Sequence, residues 1–148
     1  MKKRIMPDGY FIILLVLAIL SHLIFPIVMI IFSPFNLIGI ILIIIGFFLT
    51  LWTNSLLLKN QTTIKPYEIP GFLITSGPFK FRRNPLYLGM AIALFGVGVF
   101  LGSLSPFISP IIFVLLIDRL FAPMEEINLE KKFSEKYLDY KKKVRRWI

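Results

Sequence analysis

Cysteine is absent from the 148 residues, which excludes disulfides, thiolate metal sites, iron–sulfur clusters and a cysteine nucleophile. Histidine occurs once, as His22, so neither a histidine-based metal cluster nor a Ser-His-Asp triad has the material it needs. That histidine sits within an apolar run and reads as an interior span residue bonded to a neighbouring helix. Nucleotide loops are missing too. There is no Walker loop, and Gly96-Val-Gly-Val-Phe-Leu-Gly102 has the wrong spacing for a dinucleotide fingerprint and follows no strand. Gly96, Gly98 and Gly102 read instead as small residues that let helices approach, one face for helix association.

The most informative scarcity is of charge: none lies between Gly9 and Leu58, and none between Asn84 and Ile117. A soluble core has no use for 50 consecutive uncharged residues, whereas about 20 apolar residues cross a bilayer as helix. The chain therefore reads as an all-α integral membrane protein, a single membrane domain over residues 1–148 with about four transmembrane helices. The spans are expected at about 10–32, 35–58, 85–104 and 106–121, the first two forming a tight hairpin through Ser33-Pro34-Phe35-Asn36. The basic start, Met1-Lys2-Lys3-Arg4, introduces a retained span rather than a cleaved signal, because the apolar run is too long and ends in no small-residue site.

Between the second and third spans a linker, residues 59–84, carries five cations and one anion and is interrupted by Pro66, Pro70, Gly71 and Pro78. Pro85 suits the first turn of the third span, which needs no amide donor there. Beyond the fourth span, whose inner end holds Asp118 and Arg119, Ile127, Leu129, Phe133, Tyr137, Leu138 and Tyr140 recur at mostly helical spacing. They predict an amphipathic interfacial helix over 123–143. Net charge is +9, confined to segments that flank the spans, so it reflects positive-inside topology and anionic lipid rather than nucleic acid. Both termini and the linker are expected on the cytoplasmic side. Trp52 and Trp147 read as interface belts, Tyr67 as interfacial and Glu68 as a solvated acid, and Lys141-Lys142-Lys143 with Arg145 as headgroup contacts.

Two polar clusters face that side. The first is Thr75-Ser-Gly-Pro-Phe-Lys-Phe-Arg-Arg-Asn-Pro-Leu-Tyr-Leu-Gly89, three cations and two prolines at the mouth of an apolar segment. The second is Glu125-Glu126. Taken singly, they read as an interfacial anchor ahead of a helix start and as first-turn carboxylates. Together they hold charges of both signs at one membrane face, the layout of a site.

In combination, Gly77, Pro78, Phe79, Arg83, Asn84, Pro85, Tyr87 and Gly89, with Glu125, Glu126, Leu129, Tyr137, Tyr140, Val144 and Arg146, resemble the isoprenylcysteine carboxyl methyltransferase and phospholipid methyltransferase superfamily of integral-membrane methyltransferases. The resemblance runs from Ile69 onward; Asn84 stands where many carboxyl methyltransferases have His, and Arg145 replaces a common Pro. It implies S-adenosylmethionine held by Gly77, Pro78, Phe79, Arg83, Asn84, Pro85, Tyr87, Glu125, Glu126 and Leu129, with Arg83, Glu126 and Arg146 as catalytic candidates. Chemically, Arg83 with Glu125 or Glu126 offers a cation and an anion to the carboxylate and ammonium of the cofactor's methionine end. Phe79, Tyr87, Phe121 and Leu129 offer an adenine slot.

The implied reaction is methyl transfer to a lipid-linked or hydrophobic acceptor, carboxyl O-methylation of the isoprenylcysteine kind being favoured. A carboxylate acceptor needs no base, and Arg82, Arg83 or Arg146 can orient it. Amine N-methylation of the phospholipid kind is the alternative, with Glu125 or Glu126 as base. Two further readings are a membrane NADPH-dependent reductase and a lipid-binding scaffold without activity.

Overall fold

The computed structural model describes residues 6–63 and 65–148, so the basic start of the chain lies outside the described residues. The architecture is all-helical: α1 Pro7–Ile24, α2 Ile38–Lys59, α3 Pro85–Leu101, α4 Ile108–Leu116 and α5 Ala122–Lys143. Three to four of the apolar helices are able to span a membrane. Large side chains such as Ile41, Ile44, Phe48 and Ile111 are exposed on the outside of the bundle, where hydrocarbon rather than water suits them.

Lipid tails are as apolar as leucine, so helices that meet inside a bilayer gain most from close backbone packing. α2 and α3 do this with glycines seven residues apart on each, Gly39 and Gly46 against Gly89 and Gly96. A Cβ at Gly46 would lie 2.5 Å from the Gly89 carbonyl oxygen and 2.6 Å from the Ala93 nitrogen. One at Gly96 would lie 2.8 Å from the Gly39 oxygen. Only hydrogen fits in this seam, and it pairs the two helices antiparallel.

The expected tight hairpin of the first two spans is therefore not the closest pair. The glycine seam of α2 faces α3, and α1 packs instead on α3 and α4. Its aromatic side chains make the contact: Tyr10 sets its ring edge to Phe121 at 5.7 Å, and Phe11 meets Phe113 at 6.1 Å.

α1 also ends at Ile24, well short of Phe32. Pro26 has no amide to donate and disfavours helix at the residue before it, so the chain leaves the helix there. The segment that follows is tied to the far end of α3, the Ile30 and Ile31 amides donating to the Gly102 carbonyl at 2.8 and 3.0 Å. Gly102 closes α3 with a φ of 79°, and a Cβ there would collide with the Ile31 carbonyl oxygen. Beside it, His22 Nδ1 shares a 2.8 Å hydrogen bond with Ser103 Oγ, a span histidine held by a neighbouring element.

The fourth span and the interfacial helix are not separate elements. α4 runs through a π-helical turn, Ile117–Phe121, directly into α5. The break comes later, at Ser134, whose φ of 43° and ψ of −118° leave the helical region. For that reason the apolar residues of α5 do not share one face: Tyr137 and Tyr140 are buried, while Ile127 and Leu138 are exposed.

Substituting Gly96 by leucine is expected to cost about 2 kcal/mol, the scale of overpacking in a closed interface. Ile44→Ala, on the lipid face, should change stability by no more than about 0.5 kcal/mol. Thermal unfolding followed by circular dichroism in nanodiscs compares the two; equal midpoints would refute the seam.

Candidate functional site

At the end of the bundle where α2 finishes and α3 begins, the linker is folded back rather than spread on the surface. Thr62 Oγ1 accepts the Gly71 amide at 3.0 Å, and Asn128 of α5 donates from Nδ2 to the Pro66 carbonyl at 3.2 Å. A 3-10 turn at Gly77–Lys80 then delivers the chain to α3, with Pro85 in the first helical turn as its chemistry favours. Tyr140 of α5 fastens this turn by donating its hydroxyl to the Phe79 carbonyl at 2.6 Å. The Arg83 amide donates to the Arg145 carbonyl at 3.0 Å, drawing segment 144–148 alongside.

Glu126 is the hub of the charges. It is 6% exposed, and its Oε1 accepts from Arg83 Nη1 and from Arg146 Nε, each at 2.8 Å. Lys141 Nζ, partly exposed, stands 3.4 Å from Oε2 and 2.6 Å from Glu130, so it is engaged with two acids of α5. Arg83 also donates to the Tyr137 hydroxyl at 3.3 Å. Asp118 pairs with Arg146 at 2.8 Å rather than with its neighbour Arg119. The Trp147 indole donates to the same Asp118 oxygen at 2.9 Å.

The paired acids differ in character, and both lie in α5 beyond the apolar stretch that ends at Phe121. Burial pushes Glu126 up, but the hydrogen bond from Arg146 and the charges of Arg83, Arg146 and Lys141 outweigh it and hold the carboxyl below its usual range. Glu125 has no cation beside it. Removal from bulk water, opposed by the hydrogen bond from Tyr87 and reinforced by the Glu126 charge, pushes it up to about 7. Cations favour the charged form of one acid, while burial disfavours it in its neighbour.

These groups surround a cleft of about 790 Å³ of atom-free space, counted to its open mouth. Phe79, Arg83, Asn84, Pro85, Tyr87, Glu125, Glu126 and Leu129 line it, as the sequence leads one to expect. Gly77 and Pro78 lie outside the lining: Gly77, at φ 59°, turns the chain against Leu56, and Pro78 is buried in the turn. Arg146 reaches Glu126 without walling the cleft. Phe121 is buried in the core against Tyr10 and offers no adenine slot.

Linker residues complete the wall: Thr62, Lys65, Glu68, Phe72 and Ile74. Their one sequence signal is the apolar Phe72-Leu73-Ile74 run inside an otherwise polar stretch. Glu68, an exposed acid, hydrogen-bonds Thr63 and Lys65 at this rim. Two buried donors of the site, Arg83 Nε and Asn84 Nδ2, have no partner among the described residues, and Asn84 is 7% exposed. A buried donor left unpaired is costly, so this wall suits a ligand that brings acceptors.

Fold and site define an all-helical membrane protein with a cleft, lined by apolar side chains and a few charged ones, at one end of its apolar helices. The chain belongs to the phospholipid methyltransferase family, whose model matches residues 35–136, from the start of α2 to most of α5. It is also similar to an uncharacterized protein of Haemophilus influenzae, 38% identical over 63 residues that make up 43% of this chain and 100% of the relative. No solved structure matches.

Glu126→Ala strands the buried Arg83 and is expected to destabilise the protein by about 3 kcal/mol. Asp139→Ala, which removes an exposed pair with Lys142, should be neutral within about 0.5 kcal/mol. Parallel chemical denaturation of the two variants checks the contrast.

Proposed function

We propose that this protein transfers the methyl group of S-adenosylmethionine to an amine on a membrane-lipid headgroup. The observation that carries the reading is the split acid pair at the cleft, Glu126 locked among cations and Glu125 poised near neutral pH. Membership of the phospholipid methyltransferase family supports the same chemistry and weighs against the reductase and scaffold readings.

The cofactor's needs fit the wall. Arg83 Nε and Asn84 Nδ2 are free to receive the carboxylate of its methionine end, and Phe79 and Leu129 offer apolar contact to the adenine. When bound, the group supplies an electrophilic methyl on a sulfonium, which becomes a neutral thioether as the carbon–sulfur bond breaks and the new carbon–nitrogen bond forms. What remains for the protein is to align the acceptor, exclude water and take one proton. Glu125 takes it. As a carboxylate it accepts a proton from the headgroup ammonium, exposing the nitrogen lone pair, while Tyr87 holds its other face by a hydrogen bond.

Carboxyl O-methylation of the isoprenylcysteine kind would call on a cation to orient the acceptor. Arg83, Arg146 and Lys141 are already committed to acids, and Arg82 donates to the Phe81 carbonyl, away from the cleft lining. The amine is therefore the favoured acceptor, with phosphatidylethanolamine its simplest representative.

Two measurements test the reading. In nanodiscs, S-adenosylhomocysteine should bind saturably by calorimetry and at least about ten-fold more weakly to Asn84→Ala, the loss of roughly one charge-assisted hydrogen bond. With phosphatidylethanolamine as acceptor, kcat should rise about ten-fold per pH unit below pH 7 and level off above it, since the base must be ionised. Glu125→Gln should lower kcat by about 10² or more; a pH-independent rate, or full activity in that variant, would remove Glu125 as the base.

A further inference from the structure

A second cavity, an open groove of about 1090 Å³ of atom-free space counted to its open mouth, lies between α2, α3 and α4, with Ile111 and Leu115 exposed at its rim; on α3 it shares only Ala91 with the core that packs on Leu14 of α1. Its walls are apolar throughout, among them Leu42, Leu88, Phe95, Ile111, Leu115 and Trp147. It extends for about 10 Å along α3 from Leu88 to Phe95, at 1.5 Å per residue.

Two features connect it to the polar cleft. α3 walls both, Tyr87 standing in the cleft and Leu88 in the apolar cavity. Segment 144–148 also touches both, with Arg146 on the cleft acid Glu126 at 2.8 Å and Trp147 in the apolar wall. The two side chains meet at one atom. Asp118 Oδ1 accepts from Arg146 Nη1 at 2.8 Å and from the Trp147 indole at 2.9 Å, so one carboxylate oxygen anchors both side chains.

We infer that the apolar cavity seats a hydrocarbon chain of the acceptor lipid, and that Trp147 is a positioning residue through which occupancy of this seat orders the polar cleft. The inference rests on the proposed methyl transfer to an aminophospholipid. A lipid whose amine reaches Glu125 has its chains leaving the cleft along α3 toward hydrocarbon, and this cavity is the apolar space that begins one residue further along that helix. A chain packed on the Trp147 ring fills the void beside it and keeps the indole on Asp118, hence Arg146 on Glu126. Linkage makes the effect reciprocal: whatever the cleft binds more tightly with the seat filled must itself tighten the seat.

The protein contains two tryptophans, Trp52 and Trp147, and Trp52 lines neither cavity. Trp52→Phe therefore leaves Trp147 as the sole reporter. In phosphatidylcholine nanodiscs, phosphatidylethanolamine with brominated chains should quench Trp147 saturably, and phosphatidylcholine with the same chains should quench it only in proportion to its amount. S-Adenosylhomocysteine should lower the half-quenching fraction of the ethanolamine lipid by roughly five-fold, the low end of ordinary coupling. Asp118→Asn, or Arg146→Gln if that variant does not fold, should preserve the quenching and abolish the shift.

Equal, proportional quenching by both lipids would overturn the seat, because bulk lipid then fills the cavity. Saturable quenching without the shift would overturn the coupling. Calorimetry of S-adenosylhomocysteine on the same protein keeps the two proposals apart. Binding without lipid-specific quenching defeats this inference alone, and absence of binding defeats the methyl-transfer reading whatever the quenching shows.

Discussion

The carboxylate of Glu126 is the interaction on which the polar end of the molecule depends. It is almost wholly buried, and it is shared by Arg83 from the start of α3, Arg146 from segment 144–148 and Lys141 from beyond the Ser134 break. An unpaired buried charge would be prohibitive, and a single partner often fails to offset the desolvation of both ions. Three cations around one acid change the balance, and they tie two distant stretches of chain, the lead-in to α3 and residues 141–146, to Glu126. The cleft has its shape because these stretches must converge there.

A second constraint acts inside the apolar layer and has the opposite character. The α2–α3 seam contains no charge and little side chain, only glycine backbones in contact, with Thr50 returning its hydroxyl to the Gly46 carbonyl at 2.9 Å. The seam sets the axial position of α3. That position decides which residues emerge at the polar end, so the glycines and the ion cluster hold the two ends of one helix. Arg83, Asn84 and Tyr87 reach the cleft because α3 can neither slide along α2 nor withdraw from Glu126.

Much of this was legible in the sequence because it was written in charge and hydropathy. Two long uncharged stretches announced the helical membrane architecture, and the contrast between the cluster around Arg83 and the Glu125-Glu126 pair located the groups that meet. What stayed hidden depends on which face an element turns to its neighbours. Nothing in the pattern of α2 says that its glycines face α3 rather than α1, and hydropathy does not register that Pro26 ends α1 while the chain remains apolar. The linker lacks any period that would show it folding back over the cleft. Trp147 and Lys141 have the composition of interfacial residues, and only the positions of Asp118, Glu126 and Glu130 show the acids they engage.

The π-helical turn at Ile117–Phe121 makes the fourth span and the cleft helix a single rod with a fixed phase. In an α-helix each residue turns the following ones by about 100°, so the residue count through this turn sets the direction in which Glu125 and Glu126 point. Shortened by one residue, the rod would carry the same acids through the same bilayer and aim them about a quarter-turn away from Arg83. Rotation about the helix axis is thus a coordinate of the site in its own right, set within the membrane and expressed outside it.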